Sequence, residues 1–153
     1  KYGRYTEDGA LYEEVVDRIR EKVDSAATHV PKAEIIEKEG AQVGVVTIGG
    51  CRGAALEAVE ELSNDGLPVD YLRVRGFPFG PEVEEFLLSH EHNIVVEQNR
   101  DAQLMKLLAL ETNIEKNRLE SILDNKGSPL SAGIVVNGVK DLVDLFLTTA
   151  NRN

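Results

Sequence analysis

The sequence predicts an α/β fold: a mostly parallel sheet with helices on both faces. Three apolar runs of strand length recur, at residues 43–50 (VGVVTIGG), 69–74 (VDYLRV) and 93–96 (NIVV). Each leads into a segment whose apolar residues have helical spacing, and the joints are short. Strand, helix, strand, helix, strand with short joints calls for crossover connections, which lay helices against a parallel-rich sheet.

In order along the chain, residues 12–27 (YEEVVDRIREKVDSAA) place Val15, Val16, Ile19, Val23 and Ala26 on one stripe, with Glu13 and Glu14 in the first turn, where the helix dipole favours acid. This predicts an amphipathic N-terminal helix, and Pro31 closes the region. Residues 33–37 are expected as a short edge strand. The run at 43–50 is almost wholly apolar, as a strand covered on both faces must be. Residues 54–62 (AALEAVEEL) are helical, and Asn64-Asp65-Gly66 supplies the stop. After the strand at 69–74, Pro81 suits a first helical position and residues 82–88 continue the helix. Beyond the strand at 93–96, residues 103–115 carry Leu104, Leu107, Leu108 and Leu110 on a helical face. Gly127-Ser128-Pro129 is a turn. Residues 130–147 read as a C-terminal helix, although Gly133 and Gly138 each cost about 1 kcal/mol there against Ala.

Composition narrows the function classes. A chain of 153 residues with 42% apolar and 29% charged residues has the balance of one globular domain able to close a core. Its net charge of −10 repels phosphate backbones and anionic lipid, and Arg73 and Arg75 are too sparse to override it, so neither nucleic acid nor membrane is expected as a partner. With no apolar run near the ~18 residues of a membrane span and no signal-peptide pattern at the start, the expected location is cytoplasmic. Cys51 is the single cysteine, which leaves no thiolate set for an iron–sulfur cluster or a zinc ribbon. No metal site is expected.

Candidate chemistry is correspondingly thin. Gly49, Gly50, Arg52 and Gly53 lie where a strand turns into a helix, a place where backbone N–H groups can cradle an anion. The spacing is neither G-x-G-x-x-G nor a P-loop, and the glycines equally suit a tight turn with close packing. Cys51 reads as a partly buried, inert thiol rather than a nucleophile. His90 and His92, in SHEHN, read as a solvated joint rather than a metal pair, and His29 as a loop residue. Glu97, Gln98, Asn99 and Arg100 should emerge at the carboxyl end of the third strand, with Asp101 capping the next helix. They either cap and solvate, or they form a docking rim with Arg75, Phe77 and Phe79 from the neighbouring strand.

YLRVRGFPFGPEVEEFLLSH, followed by NIVVEQNRDAQLMKLL, resembles the C-terminal region of the alpha subunit of 2-oxoacid:ferredoxin oxidoreductases, especially the 2-oxoglutarate forms. YTEDGALYEEVVDRIREKV upstream and NKGSPLSA downstream extend the likeness over nearly the whole chain. The resemblance implies a transketolase C-terminal-like domain, a three-layer α/β/α sandwich whose five-stranded mixed sheet has an antiparallel first strand at 33–37 and a fifth strand near 121–123. It implies an N-terminal segment at 1–32 and a single globular unit at 33–153. It also implies that this piece is noncatalytic and holds no cofactor. In the parent complex, thiamine diphosphate, magnesium and an iron–sulfur cluster act with coenzyme A, and the partners are the remainder of the alpha subunit, the beta subunit and ferredoxin. A chain beginning at Lys1-Tyr2-Gly3 is expected to be a piece of something longer. Glu97 is not given the role of the glutamate that activates the thiamine ring, because the family places that role in another domain.

Overall fold

The computed structural model describes residue 3 and residues 5–150. The start at Lys1-Tyr2 and the last three residues of the 33–153 unit lie outside the described residues. Five strands, β1 (Glu34–Ile36), β2 (Val43–Ile48), β3 (Asp70–Val74), β4 (His92–Glu97) and β5 (Leu119–Leu123), form one sheet in the order β1-β3-β2-β4-β5. β2, β3, β4 and β5 are parallel, and β1 alone runs antiparallel, against β3. The fold class and the antiparallel edge are as expected, and the fifth strand is two residues longer than expected at its start.

Among the described residues there are five α-helices, α1 (Gly9–Ala26), α2 (Arg52–Asn64), α3 (Pro81–Ser89), α4 (Gln103–Glu111) and α5 (Ala132–Ala150), of which α2 to α5 cover the sheet. The central strands are buried on both faces, so alternate residues serve two separate cores. Val45, Tyr71, Ile94 and Val96 pack with Ala55, Val59 and Leu62 of α2 and with Val135, Val136 and Val139 of α5. Val46, Leu72 and Val95 pack with Val83, Phe86 and Leu87 of α3 and with Leu104 and Leu108 of α4. This is the three-layer arrangement. Gly138, unfavourable in a helix by propensity, has a tertiary reason: a Cβ there would lie 2.6 Å from Ile122 Cδ1, so the glycine lets α5 settle on β5 without displacing that side chain.

Helix ends differ from expectation where side chains intervene. α1 begins three residues earlier, because Asp8 caps it by accepting from the N–H groups of Ala10 (2.9 Å) and Leu11 (3.3 Å). α4 stops at Glu111 because the Thr112 hydroxyl donates back to the Leu108 carbonyl, while Glu84 takes both the backbone and side-chain N–H of Asn113. In the SHEHN joint Ser89 and Glu91 are exposed, but the two histidines are not simply solvated. His90 is buried, with Nε2 3.0 Å from the Asp70 carboxylate and Nδ1 2.8 Å from the Phe86 carbonyl, and the His92 ring stacks on Phe146 at 3.7 Å. Each imidazole has a partner distant in sequence, Asp70 for His90 and the partly buried Phe146 for His92. α1 buries none of its residues. Among the described residues no helix is long and apolar enough to cross a membrane.

Candidate functional site

β2 leads into α2 on one face of the sheet, while its neighbour β4 leads into α4 on the other. Chains that diverge from adjacent parallel strands open a crevice at the strands' carboxyl ends, the usual place for a site in such sheets. The register puts Ile48 beside Val74 and Thr47 beside Val96. RGFPF, the Gly49–Cys51 turn and EQNR therefore leave the sheet along one edge. Of the expected rim residues, Arg75, Phe77 and Phe79 line one cleft, Gln98 lines another, and Glu97, Asn99 and Arg100 line neither.

The first is an apolar groove of about 410 Å³ whose lining includes Pro31, Gly49, Arg75, Phe77, Phe79 and Leu107. Phe77 is 48% exposed and meets Phe79 edge to face at 5.3 Å. Phe79 is half-buried and packs on the α3/α4 core, so it belongs partly to the domain's own interior. The Phe77–Pro78 peptide is cis. Gly76 allows this loop to close on the chain after α1, for a Cβ there would lie 2.8 Å from Val30 Cβ. Arg75 is exposed and donates at 3.4 Å to the Lys32 carbonyl.

The second cleft, about 470 Å³, is lined by Gln98, Asp124, Asn125, Gly127, Ser128 and Pro129. Gln98 Nε2 donates to the Ser128 carbonyl at 3.2 Å and spans from β4 to the loop after β5. Asn99 turns inward: its Nδ2 donates to Glu97 (2.7 Å), and its Oδ1 accepts from the Asp101 N–H (2.9 Å). Arg100 is exposed and pairs with Asp101 at 2.9 Å.

Glu97 requires correction as a rim residue. It is 1% exposed, and its carboxylate accepts from the N–H groups of Leu104 (2.6 Å) and Met105 (3.1 Å) as well as from Asn99. It thus performs the capping expected of Asp101, reaching across a tight turn in which Ala102 sits at φ +50°, a left-handed conformation that costs a residue with a Cβ roughly 1–2 kcal/mol. A buried carboxylate facing the first N–H groups of a helix satisfies both partners.

The glycine turn also differs in character from an anion cradle. Arg52 points away to β1, where its Nε and Nη2 hold both oxygens of Glu34 at 2.9 and 2.6 Å. The Arg52 contact, with help from Arg73, holds the Glu34 carboxyl below its usual range. Gly50 and Gly53 keep only backbone donors there. Cys51 is buried, and that burial, reinforced by the charges of Glu97 and Asp124 and partly offset by the Gln98 N–H, pushes its thiol above the usual range. It is a poor nucleophile. Sequence reasoning missed Asp124, Pro31 and Leu107. Only Asp124 carried a signal, since it follows β5 as Glu97 ends β4.

No protein-family model matches the chain. It is 33% identical over 149 residues, 94% of its length, to the alpha subunit of 2-oxoacid:ferredoxin oxidoreductase 2 from Aeropyrum pernix. This chain is homologous to one segment of 2-oxoacid:ferredoxin oxidoreductase alpha subunits. It spans 23% of that alpha subunit's length. The 2-oxoglutarate:ferredoxin oxidoreductase of Magnetococcus marinus, solved with 2-oxoglutarate, coenzyme A and succinyl-CoA bound, superposes with a TM-score of 0.79 at 26% identity, over 91% of this chain and 24% of that one. A split-gene transketolase, matched at TM-score 0.55 and 19% identity over 72% of this chain and 40% of its own, shares the fold alone. The carboxyl edge of this homologous segment carries a polar and an apolar cleft on either side of the Gly49–Cys51 turn.

Proposed function

We propose that this chain is a noncatalytic domain of the alpha subunit of a thiamine diphosphate-dependent 2-oxoacid:ferredoxin oxidoreductase, and that it serves domain and subunit assembly. The parent enzyme converts a 2-oxoacid, 2-oxoglutarate in this reading, to acyl-CoA and CO2 and reduces ferredoxin in the cytoplasm. The observation that carries the reading is one of lengths: 94% of the chain aligns with less than a quarter of its relative. The 2-oxoglutarate assignment leans on the likeness to the Magnetococcus marinus enzyme.

The residues present do not fit the parent's cofactors. An iron–sulfur cluster needs several thiolates, and the one cysteine is buried with a raised pKa. Among the described residues no three His, Cys, Asp or Glu gather where an ion could sit. The carboxylate of Glu97 is occupied by a helix end. No redox step is therefore routed through this chain. The isolated piece should turn over no 2-oxoacid, and saturable micromolar binding of thiamine diphosphate with magnesium, read by calorimetry, would contradict the noncatalytic role.

The docking surface is the carboxyl edge, with Phe77 as the exposed anchor, Phe79 beneath it, and Arg75, Gln98 and Arg100 as polar rim, while Asn99, turned inward, supports it from below. A half-exposed aromatic with exposed guanidiniums on the same edge is the composition of an interface core with its margin. Replacing Phe77 and Arg100 together by Ala in the full alpha subunit should weaken assembly or loosen the domain contact while leaving this domain's own melting point within a few degrees. Normal assembly and turnover would show that the rim is internal structure.

A further inference from the structure

Asp124, the residue after β5, has both carboxylate oxygens buried and, among the described residues, without a hydrogen-bond partner. It is 4% exposed. Glu97 beside it takes three donors, so the contrast lies in the supply of partners and not in the residue type. Lys126, two residues on, is exposed and makes no bond to it. A buried carboxylate left alone is among the costlier arrangements in a protein, and one that persists calls for a donor from outside. Asp124 lines the cleft formed with Gln98, Asn125 and Ser128, and Asn125, Gly127, Ser128 and Pro129 of its wall are exposed.

We infer that this cleft is a socket for an arginine side chain of the polypeptide that docks on the carboxyl edge. The inference rests on the docking reading and supplies the charge of the docking partner. Two free oxygens on one carboxylate match the two parallel N–H groups of a guanidinium, which a single ammonium cannot reproduce. Gln98, fixed by its bond to the Ser128 carbonyl, keeps its own side-chain oxygen as a further acceptor at the margin. A hard metal ion would ask for six or more oxygens and usually several carboxylates, whereas the second nearby carboxylate, Glu97, is already spent. The chain's net charge of −10 favours a cationic visitor. The cleft and the Phe77 groove lie at the same carboxyl edge of the sheet, with the ends of β2 and β4 between them, so a partner that uses both must span those two strand ends.

The test has two arms. In the first, this chain is titrated with N-acetyl-arginine amide, with the lysine and citrulline analogues and calcium as controls, and amide chemical shifts are followed. Saturable shifts at Gln98, Asn125, Gly127 and Ser128 with the arginine probe, at least about tenfold tighter than with lysine and abolished in Asp124→Asn, are expected. In the second arm, Asp124→Asn should raise the melting point of this chain, since it removes an unpaired buried charge, yet weaken assembly of the full alpha subunit by at least about tenfold. No response to arginine, an equal response to citrulline or calcium, a variant that loses stability, or a variant that assembles normally would each overturn the socket. Failure of the docking reading shows separately, in normal assembly of the Phe77/Arg100 double variant.

Discussion

Glu97→Ala is expected to be the most damaging single change at the carboxyl edge, and its cost can be built from contacts. The carboxylate accepts three donors, at 2.6, 2.7 and 3.1 Å, two of them backbone N–H groups at the start of α4. Losing a helix cap costs roughly 0.5–2 kcal/mol, and each buried donor left without an acceptor adds about 1–3 kcal/mol. Leu104 is buried, so water cannot restore its partner, while Met105 is only half-buried and recovers some of the loss. The opposing effect, relief of a buried charge, is small because that charge is already fully hydrogen-bonded. The sum for Glu97→Ala is about 3–5 kcal/mol, or roughly 6–20 °C in melting point for a domain of this size. Glu97→Gln keeps one acceptor oxygen but turns an NH2 toward the helix end, and should cost about half as much. Urea unfolding of the three proteins measures both. A loss below about 1 kcal/mol for Ala, or a larger loss for Gln than for Ala, would refute the assignment of Glu97 as an internal cap.

Other outcomes follow from the same contacts. Gly138→Ala should destabilise by about 1–3 kcal/mol through overpacking against Ile122, whereas Gly133→Ala, with nothing within 4 Å of its new Cβ, should gain up to about 1 kcal/mol; a pair of thermal melts decides both. The raised folded-state pKa of Cys51 means that its contribution to stability is complete below the unfolded value near 9.0 and is lost as pH rises through the folded value. The alkaline fall in melting point should therefore be shallower in Cys51→Ala, and native Cys51 should react with a thiol reagent only as fast as the domain opens. Glu34 shows the opposite sign: its lowered pKa gives stability that is present above the unfolded value near 4.5 and is lost on acidification, so Glu34→Gln should flatten the acid limb.

The sequence by itself determined the order and kind of the elements, because periodicity is a local property. VGVVTIGG and NIVV are apolar on both faces, short and bounded by turn residues, which suits strands covered on both sides. The positions of Phe77 and Gln98 at a common sheet edge followed from topology, since parallel strands deliver their carboxyl ends together. Tertiary structure decided which polar side chains remain available, because that depends on donors brought from elsewhere in the chain. Glu97 and Asp124 both stand at strand ends as buried acids. One meets the N–H groups of a helix start seven and eight residues on and is satisfied; the other meets no donor among the described residues. Arg52 likewise looked free beside the glycines until β1 folded in antiparallel and carried Glu34 against it, and His90 looked solvated until Asp70 arrived. A hydrogen bond between residues distant in sequence leaves no periodic trace, so polar accounting at this edge required the packed chain.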